Sequence, residues 1–181
     1  MKKQPQATEQ TKSNLRNAFW ALYRKKPLEK ISIKEITDLA GYNRGTFYLY
    51  YKDVYDLLDQ IEEDLLNLAK QVLIDGTADG TLDFSHQMSS IIEMSHTYLP
   101  YFSVLMSDQG DPRFVSRFKE IMRPVLNQVL FTEHKYNECQ QKYLSEFYIS
   151  GIMGTLAKWL EDPQLSIDDL LNFMLPEIFR Q

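Results

Sequence analysis

Residues 31–52 read ISIKEITDLAGYNRGTFYLYYK, and this stretch decides the fold. Ser32 and Glu35 have the spacing of a capping box, in which a hydroxyl and a carboxylate satisfy the first amides of a helix. Gly41 follows the apolar positions of that helix, where a left-handed residue can end it. Asn43 then offers a cap for a second short helix. Two short helices joined by a turn of about three residues are typical of a helix-turn-helix.

The second of these helices, expected from Arg44 to about Tyr50, carries side chains that suit the major groove of DNA. Arg44 can donate two hydrogen bonds to a guanine edge, and Thr46 can bond a base or a phosphate. Gly45 has no side chain and lets the helix approach the groove closely. Phe47 is expected to face inward and hold this helix against the preceding helices.

Tyr48, Tyr50 and Lys52 suit the phosphate backbone of DNA. Each tyrosine combines an aromatic ring with a hydroxyl that can bond a phosphate oxygen. Lys52 lies beside the start of the next helix, where its charge and free backbone amides favour a phosphate. Tyr51 is expected to return to the core. Simple packing at the rim is the alternative for the tyrosines, and a solvated surface is the alternative for Arg44.

Charge is divided unevenly along the chain. Residues 1–52 hold eleven Lys/Arg against four Asp/Glu, whereas residues 53–181 hold nine against twenty-one. Such asymmetry indicates a basic domain that meets a polyanion and an acidic domain that does not. We therefore expect a helix-turn-helix DNA-binding domain over 1–52, and a helical domain for dimerisation and effector or partner binding over 53–181.

Helical periodicity continues on both sides of the opening stretch, and no strand alternation is present. Gly and Pro number only seven each, which also favours an all-α fold. A helix is expected from about Thr8 to Lys25, and a long one from Asp53 to about Ile74. Further helices are expected at about Phe84–Thr97, Tyr101–Met106, Arg113–Thr132, Asn137–Leu160 and Ser166–Phe179.

These residues resemble the TetR family of bacterial regulators. The resemblance covers residues 15–58 and is most specific at Gly45-Thr46-Phe47-Tyr48, followed by Tyr50-Tyr51-Lys52. It implies a three-helix DNA-binding domain, a fourth helix linking it to a larger helical domain, and a homodimer. It also implies that a small molecule entering the larger domain releases the protein from DNA. Beyond Val72 the resemblance is loose.

The family's DNA contacts carry over onto this chain residue by residue. The groove-facing positions fall on Lys34, Asn43, Arg44, Gly45 and Thr46. The positions that contact the DNA backbone fall on Ser32, Tyr48, Tyr50 and Lys52. One departure is Val54, where many members have a lysine, so we expect Lys52 to take over that contact.

The expected helix from Tyr143 to Leu160 is apolar on two faces, whereas a surface helix needs only one. We interpret it as packed between its own core and a partner chain. A fully interior helix of a monomer is the alternative. The residues expected at a dimer interface on this helix and the next are Leu144, Gly151, Thr155, Leu170, Phe173 and Met174.

Aromatic and methionine side chains recur at core-like spacing in the acidic domain, and such side chains also line pockets for apolar ligands. Ordinary core packing is the alternative for each of them. The residues expected to line an effector site are His96, Phe102, Met106, Phe118, Met122 and Phe147.

Several classes of function lack their motifs. The three histidines and the single cysteine do not have zinc-binding spacing, and no Walker loop, dinucleotide fingerprint or nucleophile elbow occurs. We therefore expect no metal, no cofactor and no enzymatic activity. The N-terminal residues lack the apolar stretch of a signal peptide, and no run is long enough to span a bilayer. A cytoplasmic protein without a membrane partner is expected.

The leading hypothesis is a dimeric repressor that binds a palindromic operator in double-stranded DNA and leaves it when a small apolar effector binds. Two alternatives remain. The same DNA-binding domain can answer to a protein co-regulator, which a filled core in the acidic domain would favour. The chain can also be a helical interaction protein or an enzyme without a DNA role, which a flat salt dependence of DNA binding would favour.

Overall fold

The computed structural model describes residues 5–75, 84–107, 110–131 and 136–179, and all regular elements in these ranges are helical. The predicted all-α class is therefore confirmed. A short 3-10 helix (Leu28–Lys30) separates the first two α-helices. The α-helices in chain order are α1 (Pro5–Tyr23), α2 (Ile33–Ala40), α3 (Arg44–Tyr48), α4 (Val54–Asp75), α5 (Phe84–Leu105), α6 (Pro112–Leu130), α7 (Glu138–Glu161) and α8 (Ile167–Phe179).

The chain divides into two compact units, Met1–Leu65 and Leu66–Gln181, which we call the head and the body. The helix α4 is continuous across this division. Its first three turns belong to the head and its remaining residues belong to the body. The head therefore extends beyond residue 52, because Leu57, Leu58 and Ile61 on α4 are buried.

The head is built on aromatic packing. In it α1 packs against α2, and α2 packs against α3. The rings of Phe19 and Tyr23 stack with their centroids 5.4 Å apart, and those of Phe47 and Tyr51 are also 5.4 Å apart. Phe47 and Tyr51 are both buried, as the sequence predicted. Burying one such side chain contributes roughly 1.5–3 kcal/mol.

Local capping signals set the ends of α2 and α3. Ser32 and Glu35 form the predicted capping box, and Gly41 ends α2 in the left-handed region with φ 74°. The Asn43 side chain accepts a hydrogen bond from the Thr46 amide and caps α3. Because α3 ends at Tyr48, it is two residues shorter than predicted.

The body is held together by two helix pairs, α5 with α8 and α6 with α7. On α5 and α6, three phenylalanine rings form one cluster. On α8, four buried aliphatic side chains pack with Trp159 of α7, whose indole nitrogen donates to the carbonyl of Leu165 at 2.9 Å. These four residues are Ile167, Leu170, Leu171 and Leu175. Within the described ranges, the helices are too short or too polar to cross a membrane.

The break predicted before Pro100 is wrong. A single helix, α5, runs through this position and continues to Leu105. A proline inside a helix removes one backbone hydrogen bond and crowds the carbonyl four residues earlier. Phe102 and Leu105, which follow it, are buried, so tertiary packing outweighs the local cost. Pro124 likewise lies inside α6.

Candidate nucleic-acid interface

The segment around α3 has one buried side and one exposed side. Phe47 and Tyr51, four residues apart, are buried and anchor the segment in the head. On the other side the exposed residues are Arg44, Gly45, Tyr48, Leu49 and Lys52, and we call this side the reading face. A helix that enters the major groove needs this division, with a packed inner side and a free outer side.

Arg44 is the first residue of α3 and is exposed. No carboxylate in the described ranges forms an ion pair with it. Its guanidinium therefore keeps its planar set of donors for an external partner. Such a set matches the O6 and N7 acceptors of guanine, so Arg44 has the chemistry and the exposure that base recognition requires.

Asn43 has a structural task that limits its contact with DNA. Its side-chain oxygen accepts from the Thr46 amide at 2.9 Å and from the Thr46 hydroxyl at 3.3 Å. A Cβ on Gly45 would lie 3.1 Å from the same oxygen. Glycine at this position therefore keeps the cap uncrowded, a reason independent of the close approach to DNA that the sequence indicated.

Ser32 is committed to capping in a similar way. Its hydroxyl accepts from the Glu35 amide at 3.3 Å and donates to the Glu35 carboxylate at 2.8 Å. The Lys26 ammonium lies 2.6 Å from the other Glu35 oxygen. The hydrogen bond from Lys26, followed by that from the Ser32 amide, lowers the pKa of Glu35 to about 2.

Lys34 is exposed on α2 and lies 2.7 Å from Asp38. This pair is four residues apart on a solvated helix surface, where such pairs contribute only about 0.3–0.5 kcal/mol. A phosphate can therefore compete for the ammonium. The DNA contact of Lys34 stays a prediction, and it requires a phosphate to displace Asp38.

Tyr48 and Tyr50 differ in exposure. The Tyr48 side chain is 58% exposed and its ring meets Phe47 edge-on, with the centroids 5.8 Å apart. Tyr50 is only half-buried, and its carbonyl accepts from Gln60 at 3.4 Å. Tyr48 is thus the tyrosine that stands on the reading face.

Lys52 is exposed and has no ion pair among the described residues. Two of the backbone amides near the start of α4, where the sequence predicted free amides, already have carboxylate partners. The Lys52 amide donates to Asp56 at 2.7 Å, and the Asp56 amide donates to Asp53 at 2.8 Å. Any phosphate contact of Lys52 therefore depends on its ammonium. Val54, where many family members have a lysine, is buried in the core.

Sequence reasoning missed Leu49, whose side chain is 63% exposed on the reading face. Its position four residues after Gly45 is the signal that could have identified it, because residues four apart share a side of a helix. An exposed alkyl side chain on the reading face can meet the methyl group of thymine.

The structure brings together only part of the predicted effector set. Phe102 and Phe118 pack with their ring centroids 5.4 Å apart, and the buried Phe114 completes the cluster. Met106, directly after α5, and Met122 on α6 are half-buried. His96 is exposed, with its Nε2 atom 2.8 Å from Asp168.

Phe147 does not lie in that cluster. Its side chain is 72% exposed on α7, so its predicted place in an apolar pocket of the single chain is wrong.

The predicted dimer residues divide between surface and core. Gly151 and Thr155 are exposed on α7, and Phe173 is 67% exposed on α8. Leu144 and Met174 are half-buried. Leu170 was also predicted at the dimer interface, but it is buried within the body's own aliphatic cluster and has little surface left for a partner.

Comparison with known proteins supports the class that this geometry defines, a helix-turn-helix transcriptional regulator. A TetR-type family model, described as "Transcriptional regulator C-terminal region", matches residues 83–171. The uncharacterized HTH-type transcriptional regulator YxbF of Bacillus subtilis (strain 168) is 26% identical over 119 residues, which are 64% of this chain. The match spans only 30% of YxbF.

Two solved structures share the whole fold. A TetR transcriptional regulator from Streptococcus agalactiae 2603V is 28% identical, with 97% of each chain covered and a TM-score of 0.68. The dihydroxyacetone kinase operon activator DhaS has a TM-score of 0.66 at 18% identity, with 94% of this chain and 95% of that one covered. The resemblance seen in the head is thus confirmed, and the chain is similar to the TetR family of transcriptional regulators across the described fold.

Proposed function

We propose that this protein binds a palindromic operator as a homodimer through the reading face of each head, and represses transcription until an effector releases it. The observation that carries the proposal is the reading face itself. It presents two cations, Arg44 and Lys52, that form no ion pair with any described residue, on a surface that Phe47 and Tyr51 hold in place.

The reading face has separate groups for specificity and for affinity. Arg44 can recognise one base pair through two parallel hydrogen bonds. Tyr48 and Lys52 can bond phosphates, which positions the head but carries no sequence information. With Lys34 on α2 and Asn43 and Thr46 at the start of α3, the contacts span both helices of the motif.

A second copy of the chain is the proposed partner of α7 and α8. Tyr143, Phe147 and Gly151 are exposed at four-residue intervals along α7, and Phe173 is exposed on α8. Exposed apolar residues grouped in this way mark interaction surfaces. A Cβ at Gly151 or Gly154 would meet nothing within 4 Å, so a partner helix can approach the backbone closely there.

The proposed signal travels along α4, which belongs to both units. An effector that binds the body and shifts α4 would change the distance between the two reading faces of a dimer. Operator DNA fixes that distance, so the effector-bound dimer would bind less well. This coupling is reciprocal, and its usual size is about 1–3 kcal/mol.

A protein co-regulator is the second candidate for the signal. The observation that favours it is the packing of Phe102, Phe114 and Phe118, whose rings contact one another with centroids 5.4–6.3 Å apart. Side chains that fill the space between them leave less room for a small ligand. Under this proposal the head binds the same operator, and a protein takes the place of the small molecule as the effector.

Selection from a pool of random duplexes tests the DNA-binding part. The enriched sequence should be an imperfect palindrome, with half-site centres about 34–36 Å apart or separated by a further helical turn. Affinity for it should fall steeply with salt, with a logarithmic slope of about 0.9 for each phosphate neutralised. No enriched sequence, together with a flat salt dependence, would exclude the proposal and favour an interaction protein or an enzyme.

A further inference from the structure

Arg16 joins three parts of the head. Its Nη1 atom lies 2.6 Å from Asp64 Oδ2 on α4, and its Nε donates to the Tyr51 hydroxyl at 3.2 Å. Arg16 itself lies on α1, beside the buried Leu15. One guanidinium therefore connects α1, the buried anchor Tyr51 behind the reading face, and the third turn of α4.

The Tyr51 end of this connection is rigid. Tyr51 is buried and its ring packs against Phe47, the anchor of α3. Burial raises the pKa of Tyr51, so its hydroxyl stays protonated and accepts from Arg16 as a neutral group. Because α3 has only five residues, its orientation depends on these packed neighbours more than on its own backbone hydrogen bonds.

The Asp64 end lies where α4 leaves the head. The head ends at Leu65, and α4 continues to Asp75 in the body. Asp64 is more than half exposed, so water screens its ion pair and the pair adds little to stability. A planar guanidinium nevertheless restricts direction as well as distance, which a single ammonium does not.

We propose that Arg16 is a positioning residue that fixes the reading face relative to α4, and thereby sets the half-site spacing that the dimer accepts. This inference rests on the proposed function. Its consequence is specific: losing the connection should relax the choice of spacing rather than the choice of bases, because Arg44 and its neighbours are untouched.

The test measures binding of the full-length protein to the selected operator and to versions with one base pair added or removed between the half-sites. The wild type should prefer the selected spacing by about tenfold or more, comparable to the effect of one mismatched base pair. Arg16→Gln and Asp64→Asn should each reduce this preference to about threefold or less. Arg16→Lys, which keeps the ion pair alone, should fall between.

Two variants with opposite changes in charge distinguish an effect on the position of the reading face from an effect of charge on DNA affinity. Arg16→Gln removes a positive charge and should weaken binding to random DNA, whereas Asp64→Asn removes a negative charge and should strengthen it. Both should nevertheless lower the spacing preference. Arg24→Gln is the matched control, because Arg24 is exposed and has no ion pair among the described residues. It should weaken all duplexes equally and keep the preference.

Full spacing preference in a folded Asp64→Asn protein would overturn the inference, even if Arg16→Gln failed to fold. A wild type that selects no operator would instead refute the proposed function. The two failures are therefore distinct.

Discussion

The head and the body use their cationic side chains differently. In the body, Arg113 pairs with Asp111 at 2.6 Å and Arg123 with Glu146 at 3.1 Å. In the head, five exposed cations have no ion pair among the described residues: Arg24, Lys25, Lys30, Arg44 and Lys52. In the described part of the body, two exposed lysines, Lys70 and Lys142, likewise have no ion pair. Exposed cations without an ion pair are therefore more numerous in the head, and two of them, Arg44 and Lys52, lie on the reading face.

The largest expected effect comes from removing the anchor of the reading face. Phe47→Ala should lower the free energy of unfolding by about 3–5 kcal/mol, because Phe47 is fully buried. Operator binding should be lost with it. Phe114→Ala, at a fully buried position in the body, is the matched control: urea unfolding should show a similar loss, while the base preference of the remaining binding persists. Equal loss of base preference in both variants would remove the distinction between the units.

An exposed arginine from each unit gives the next comparison. Arg44→Ala should weaken operator binding by about 1–3 kcal/mol through the loss of two hydrogen bonds to a base. Arg113→Ala removes the same charge from the body and should leave operator affinity unchanged. Fluorescence anisotropy with a labelled operator measures both. Similar losses in the two variants would mean that overall charge, not the reading face, governs affinity.

The two asparagine caps form a closely matched pair. Asn43 accepts from the Thr46 amide at 2.9 Å, and Asn137 accepts from the Gln140 amide at 3.0 Å. Asn43→Ala and Asn137→Ala should each cost about 1 kcal/mol of stability, the usual value of such a cap. Only Asn43→Ala should also weaken operator binding beyond this loss. Thermal melts measure the loss of stability, and binding isotherms measure the loss of operator affinity. Weakened operator binding in Asn137→Ala would contradict the assignment of DNA binding to the head alone.

The smallest expected effect is a change in how the stability of the protein depends on pH, and it comes from Glu35. Its pKa is lowered from 4.5 to about 2, first by the hydrogen bond from Lys26. A lowered pKa stabilises the folded state above the unfolded value of 4.5, and this contribution is lost as the pH falls from 4.5 toward 2. Unfolding measured across that range should show a shallower pH dependence in Glu35→Gln. An unchanged slope would show that Lys26 and Ser32 do not hold the carboxylate in solution.

The head was more predictable than the body because its signals are local. The capping box at Ser32, the left-handed Gly41 and the Asn43 cap each act within four residues, so their spacing in the sequence identifies them. The continuity of α5 through Pro100 and the burial of Leu170 depend on residues far apart in the chain. Periodicity shows that a helix has an apolar face, but it does not show which helix covers that face.

Within the interface, the sequence predicted which side chains are exposed or buried, but it did not predict the hydrogen bonds made by the backbone amides near the start of α4. The exposure of Arg44 and the burial of Phe47 follow from their helical positions. The hydrogen bonds from the amides of Lys52 and Asp56 to carboxylates were not predicted from the sequence. These bonds form because helix ends leave unsatisfied amides, and the nearest carboxylate takes them before a phosphate can.

The most direct test of the reading face is a comparison of base preferences in the wild type and in Arg44→Ala. Both proteins are used to select from the same pool of duplexes at the same salt concentration. The variant should lose its preference at one base pair in each half-site and keep it at the others. An identical profile from the two proteins would contradict the assignment of α3 as the recognition helix.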